Sequence, residues 1–230
     1  MNILVFGGTR GIGSVIVKAL EERGDKVITA SRSKIDSTNH IEIDISEVDR
    51  NKISGLSDID HVVFAHRYRG DSWDEEFQIT VKSVHEWVNI LIERINRGGS
   101  VVFLSSVAST YILDEQPAEY HASRASLESL MKFCAVNYGH LGIRFNCVQP
   151  STLIKPENNQ FFKPGNEVRK LIEDITPLKR MGTAEDIAGI IKFLTSEDSM
   201  FVTGNSIIVD GGLFLVGQES IARHLSGLKH

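Results

Sequence analysis

The sequence predicts an α/β chain folded as a single doubly wound domain of about seven parallel strands with helices on both faces. Short apolar, β-branched runs alternate with segments of helical period, the order that parallel crossover units impose. A glycine-rich turn joins the first such run to the first helical segment. No internal repeat, low-complexity tract or Gly/Ser-rich linker divides the 230 residues, so residues 1–230 are expected to share one core.

The first strand is Asn2–Phe6, and the turn after it opens a helix near Gly13–Arg23. Strands Lys26–Ala30 and His40–Asp44 follow, then Ser46–Ser57 as a short helix. His61–Ala65 is apolar throughout its middle, as a strand covered on both faces must be. A long helix-period segment, Trp73–Asn96, leads to strand Ser100–Ser105, and helix Tyr120–Leu141 leads to strand Arg144–Val148. Helices near Asn166–Thr176 and Ala184–Leu194 precede the last strand, Ser206–Val209. The stretch Pro150–Pro177 carries four prolines, Asn158-Asn159 and two exposed-looking phenylalanines, Phe161-Phe162. It directly follows a strand C-terminus, where ligands bind in open α/β sheets, and is expected to be a mobile substrate loop.

Composition narrows the function classes. The chain is 41% hydrophobic and 24% charged with a formal net charge of −5, so it has no electrostatic reason to bind nucleic acid or an anionic membrane. No apolar run approaches the ~20 residues that span a bilayer. The N-terminus enters a strand at once, without a signal-peptide pattern. A cytoplasmic protein is expected, with Cys134 and Cys147 as small buried thiols. His66, His85 and His121 lack metal-ligand spacing with a third partner, so no metal site is expected.

The turn Gly7-Gly8-Thr9-Arg10-Gly11-Ile12-Gly13 lets the backbone approach a pyrophosphate, and the helix behind it offers N–H donors and a favourable dipole. Strand two ends Thr29-Ala30-Ser31-Arg32, where an acidic residue would favour NAD by binding the ribose hydroxyls. Ser31 stands there instead. Arg32 and Arg10 offer guanidinium forks suited to a 2′-phosphate. NADP(H) is therefore expected over NAD(H). Downstream, Ser105-Ser106 closes an apolar run, and Tyr120 and Arg124 sit four apart on one helix face.

These motifs resemble the short-chain dehydrogenase/reductase family, a Rossmann-fold family whose serine, tyrosine and lysine support NAD(P)-dependent hydride transfer. The glycine turn matches the family's Thr-Gly-x-x-x-Gly-x-Gly with Phe6 in place of the threonine. Glu119-Tyr120-His121-Ala122-Ser123 matches its tyrosine motif, and Thr176–Gly182, Glu185–Ala188 and Thr203–Gly212 follow in the family's order. The resemblance spans about residues 2–213 and leaves out the tail, 213–230. It implies that Ser106 holds the substrate oxygen and that Tyr120 is the acid/base. Gly7, Thr9, Arg10, Gly11, Ile12, Gly13, Ser31, Arg32, Asp44, Ile45, Ala65, His66, Tyr120, Arg124 and Pro150 would bind the cofactor.

Several positions depart from the family. Arg124 replaces the lysine that holds the nicotinamide ribose, favours tyrosinate and relays protons. Arginine supplies the charge but neither the compact geometry nor the relay. Phe64-Ala65-His66-Arg67 replaces an Asn-Asn-Ala-Gly turn, and Thr80 replaces a catalytic asparagine thought to act partly through its main-chain carbonyl. Pro150-Ser151 stands for Pro-Gly, and Lys155 falls where a threonine commonly meets the nicotinamide amide, with Thr152 nearby. Two readings stay open: an NADP(H)-dependent oxidoreductase interconverting a small-molecule carbonyl and alcohol, and a catalytically impaired homologue that binds NADP(H) as a sensor. Helix 120–141 is apolar on more than one side, and with the family's habit this implies a homodimer or homotetramer.

Overall fold

A computed structural model describes residues 1–228. Its centre is a seven-stranded parallel sheet in the spatial order β3-β2-β1-β4-β5-β6-β9. The strands are β1 (Asn2–Phe6), β2 (Lys26–Ser31), β3 (His40–Glu42), β4 (Ile59–Phe64), β5 (Ile95–Leu104), β6 (Arg144–Pro150) and β9 (Ser206–Val209). A separate two-stranded pair joins β7 (Leu153–Ile154) to β8 (Gly182–Thr183). The main helices are α1 (Gly11–Glu22), α2 (Trp73–Phe77), α3 (Ser83–Leu91), α4 (Ala118–Tyr138), α5 (Glu167–Ile175), α6 (Ala184–Leu194) and α7 (Gln218–Leu225).

Strand alternation sorts the core into two layers. Leu4, Phe6, Val62, Phe64, Val101 and Phe103 pack with Trp87 of α3 and Leu127 and Met131 of α4. Ile3, Val5, Val63, Val102 and Val148 pack with Ile16 and Leu20 of α1 and Ile187 and Ile191 of α6. A row of rings crosses four neighbouring strands: Phe6 stacks on Phe64 at 4.8 Å, Phe64 on Phe103 at 5.5 Å, and Phe103 on Phe145 at 6.4 Å. The parallel register Phe6↔Phe64↔Phe103 keeps that row level. The chain moves outward from β1 in both directions, so a crevice opens at the C-terminal ends of β1 and β4.

The structure corrects some boundaries. The helical stretch expected over Trp73–Asn96 is broken by a π-helical segment at Gln78–Lys82 and ends at a 3₁₀ turn, Ile92–Arg94, after which Ile95 already begins β5. Ser46–Ser57 holds only a 3₁₀ turn, Arg50–Ile53, started by the Asp49 side chain accepting from Asn51 N–H. Within Pro150–Pro177, β7 and α5 give the segment regular structure, and Phe162 is buried while Phe161 is exposed. The tail forms a 3₁₀ turn, Leu213–Leu215, and α7; residues 229–230 lie outside the described residues. Cys134 and Cys147 are buried and free. No described helix is long and apolar enough to cross a membrane.

His61 is buried beneath the sheet, with Nδ1 2.9 Å from Ser100 Oγ, which in turn donates to Leu194 O at 3.0 Å. Burial, then the charge of Arg144, pushes its pKa down to about 4. Below pH ~6.5 the unfolded imidazole takes up a proton that the folded one refuses, so stability falls with pH through this window by up to about 1.4 kcal/mol per unit. Urea unfolding between pH 7.5 and 4.5 should show this loss, and His61→Gln should reduce it.

Candidate active site

The strand ends line a cleft of about 700 Å³ that runs from the glycine turn to Tyr120. Thr9, Arg10, Gly11, Ile12, Ser31, Arg32, Asp44, Ile45, Ala65, His66, Ser106, Tyr120, Arg124 and Pro150 all border it, as does Gly7. The sequence-predicted cofactor residues thus converge, with one exception. Gly13 does not line the cleft. A Cβ there would collide with the Gly7 carbonyl, so its place is in the packing of α1 against the turn.

The glycine turn is shaped by close approach. Gly7 has φ +80°, and a side chain on it would meet the backbone of His66 at 2.6 Å. The end of β4 therefore lies directly against the turn. Thr9 Oγ1 bonds Ser31 Oγ and Ser33 Oγ, each at 3.2 Å, tying the turn to the end of β2. Arg10 precedes α1 without capping it, and no acidic residue occupies the first helical turn. Arg32 lies on the rim, 77% exposed and 4.0 Å from Asp44 Oδ2.

Two features bear on whether a dinucleotide fits. The Glu157 carboxylate lies where a Cβ of Gly11 would stand, above the start of α1, with Arg69 paired to it at 3.0 Å. An anion is thus accommodated where backbone N–H groups and the helix dipole favour one. Further along, among the described residues, His66 Nδ1 and Arg124 Nε are buried without hydrogen-bond partners. Polar groups left bare beside a cleft are what a polar ligand satisfies. The residues fit a dinucleotide.

At the other end, Ser106 Oγ accepts from Ala108 N at 3.2 Å as it starts a 3₁₀ turn, which leaves its proton free to donate. Tyr120 lies in the first turns of α4 with the Arg124 guanidinium 4.8 Å and the Arg67 guanidinium 4.6 Å from its ring centroid. Arg67 also donates to Gln116 Oε1 at 2.9 Å. His66 sits in an edge-on contact with Phe64, its Nε2 3.2 Å from the Ile79 carbonyl. That carbonyl requires Nε2 to carry the proton. Burial, and then the Arg124 charge, pushes His66 down to about 4, so it stays neutral near pH 7.

Arg124 is only 3% exposed and its counter-charge is Glu76 of α2, 3.4 Å away and equally buried. Glu76 Oε1 also accepts from Ser123 Oγ at 2.5 Å and Thr80 Oγ1 at 2.8 Å. The sequence analysis did not single out Glu76. Its signal was the i,i+4 spacing to Thr80, masked by the run Asp74-Glu75-Glu76 at a helix start. The Thr80 hydroxyl lies behind the cleft wall, committed to Glu76. Burial lowers the pKa of Arg124, against the opposing pull of Tyr120 and Glu76.

Among the described residues no group of three or more His, Cys, Asp or Glu is placed to hold a metal ion. Residues 62–214 match the family model described as enoyl-(acyl carrier protein) reductase. An uncharacterized oxidoreductase of Schizosaccharomyces pombe is 32% identical over 92% of this chain and 90% of its own length. An L-rhamnose 1-dehydrogenase (NAD(P)(+)) of Sphingomonas is 34% identical over 63% of this chain and 58% of its own. The aldohexose dehydrogenase of Thermoplasma acidophilum shares the fold at TM-score 0.83 and 23% identity, covering 94% of this chain and 95% of that one. A family model matched over most of the chain and a full-length relative above 30% identity make this protein a member of the short-chain dehydrogenase/reductase family of nicotinamide-dependent oxidoreductases.

Proposed function

We propose that the protein is an NADP(H)-dependent oxidoreductase that interconverts a carbonyl and an alcohol on a small molecule, with Tyr120 as acid/base. The observation that carries this reading is the convergence of Ser106, Tyr120 and Arg124 on one cleft that also receives the glycine turn. The nicotinamide, when bound, supplies or accepts the hydride. Ser106 donates its free proton to the substrate oxygen and holds it beside Tyr120. Tyr120 passes a proton to that oxygen in reduction and takes it back in oxidation. The Arg67 and Arg124 guanidiniums, 4.6 and 4.8 Å from its ring centroid, put positive charge beside the reacting group.

Arg124 supplies that charge from a fixed position. Its two terminal nitrogens are held by Glu76, Thr80 and the Leu104 carbonyl, all at 3.4–3.5 Å, while Nε is left for a ligand. His66, neutral with Nδ1 bare, offers an acceptor in the same region. Arg10 and Arg32 on the cleft rim favour the 2′-phosphate of NADP(H). The rival reading, a binding protein without turnover, draws on Arg124 being unable to relay protons.

On α4, Phe133 is 53% and Val136 81% exposed, and the reading extends to a homodimer or tetramer in which a second copy covers them. The absence of any nucleic-acid or membrane partner and a cytoplasmic location belong to the same reading.

Fluorescence titration should show NADPH binding roughly tenfold tighter than NADH, with the preference lost in Arg10→Ala/Arg32→Ala. Turnover of a carbonyl panel should fall by at least ~100-fold in Tyr120→Phe. Tight NADPH binding with no turnover, before or after Arg124→Lys, would establish the binding-protein reading instead. Glu76→Gln should destabilise the fold by about 3 kcal/mol in urea unfolding, since it strands a buried guanidinium. Light scattering of Val136→Glu should show monomers where the parent chain shows dimers or tetramers.

A further inference from the structure

We propose that the substrate carries a carboxylate or a phosphate beside its reacting carbon, bound by Lys155 and Arg67; this rests on Tyr120 marking the reacting end of the cleft. A pocket of about 280 Å³ opens next to Tyr120 and is walled by Arg67, Tyr68, Arg69, Lys155 and Glu119, with Glu76 behind them. Its charges are not balanced. Arg124 neutralises Glu76, and Glu157 neutralises Arg69. That leaves Arg67 and Lys155 against the single carboxylate of Glu119, which among the described residues forms no ion pair with either, so one positive charge stays in excess. Among the described residues Lys155 makes no ion pair within 4.0 Å and its ammonium has no hydrogen bond, although the residue is half-buried. Arg67 is bonded only to the neutral amide of Gln116.

A half-buried ammonium without a counter-ion is costly, and a ligand anion is the group that offsets it. Burial lowers Lys155 below the usual lysine range; Glu157 opposes this, and the charges of Arg67 and Arg69 add to it. An incoming anion would reverse the last effect. The site is also built in advance. Lys155 N donates to Asn158 Oδ1 at 2.8 Å, and Asn158 Nδ2 donates to Leu153 O at 3.0 Å, closing the backbone around the lysine. Leu153 and Ile154 are pinned by β8 through Gly182 and Thr183. Arg67 lies over Tyr120, 4.6 Å from its ring centroid. The two cations therefore approach the reacting group from the end of β4 and from the segment after β7, spanning the mouth of the site. A neutral sugar or alcohol would leave both unpaired.

Binding to the NADP⁺-loaded protein tests this, because an aldehyde cannot be reduced there. By calorimetry, 4-oxobutanoate is compared with its methyl ester, and glycolaldehyde phosphate with methoxyacetaldehyde, none of which carries a free hydroxyl to oxidise. At least one anion should bind roughly tenfold tighter than its neutral partner, and which pair shows it separates carboxylate from phosphate. That ratio should fall toward one as NaCl rises from about 50 to 500 mM, and in Lys155→Gln/Arg67→Gln. Equal or absent binding in both pairs, a ratio indifferent to salt, or a ratio that survives the double substitution would overturn the proposal. Lack of hydride transfer from NADPH counts against the oxidoreductase reading alone, since the anion preference is read from binding without turnover.

Discussion

The buried pair Arg124–Glu76 organises the Tyr120 end of the cleft. Four pieces of chain meet on it: Glu76 from α2, Thr80 from the π-helical segment, Ser123 and Arg124 from α4, and the Leu104 carbonyl at the end of β5. A guanidinium that is 3% exposed cannot stand alone, because desolvation costs several kcal/mol per ion. Accepting bonds from Ser123 and Thr80 as well, the Glu76 carboxylate is satisfied on one oxygen by three donors. The counter-charge of Arg124 thus comes from a neighbouring helix rather than from the cleft. Its consequence is specific: Arg124 is rigid and charge-compensated, and Arg67 lies over Tyr120 as a second cation.

At the dinucleotide end the governing constraint is backbone proximity. Gly7 packs on the His66 backbone, Gly13 packs on the Gly7 carbonyl, and Gly7 N donates to Ala30 O at 2.8 Å. Three strands, β1, β2 and β4, therefore converge on a turn that tolerates no side chains at its tightest points. The same convergence carries His66 to the cleft wall. The side chains after β4 do not set this packing, because it is the main chain of His66 that Gly7 touches.

Much of this was legible in the sequence wherever one local pattern sufficed. The continuous apolar runs of β1, β4 and β5 located the sheet, and the spacing of Gly7, Gly11 and Gly13 located the turn. Tyr120 and Arg124 were placed by their helical spacing. What was not legible depended on tertiary partners. A π-helical segment at Gln78–Lys82 has no signature in periodicity, so the helix from Trp73 read as continuous and overran into β5. Phe162 read as exposed because its loop is polar, yet it is buried. Glu76 looked like an acidic helix start until the arginine across from it was in place. The two-residue strands β7 and β8 are too short to leave a pattern.

That short pair has a consequence for both ends of the cleft. Lys155 and Glu157 lie two residues apart on one segment, closed by Asn158 and anchored by β8. Lys155 stands in the pocket beside Tyr120, while Glu157 lies over Gly11 with Arg69 on its carboxylate. One segment therefore puts a positive charge beside Tyr120 and a negative charge over the start of α1. A phosphate cannot share that place with the carboxylate, since like charges so close repel strongly. A cofactor phosphate bound there would have to displace Glu157, and part of its binding energy would go into that move.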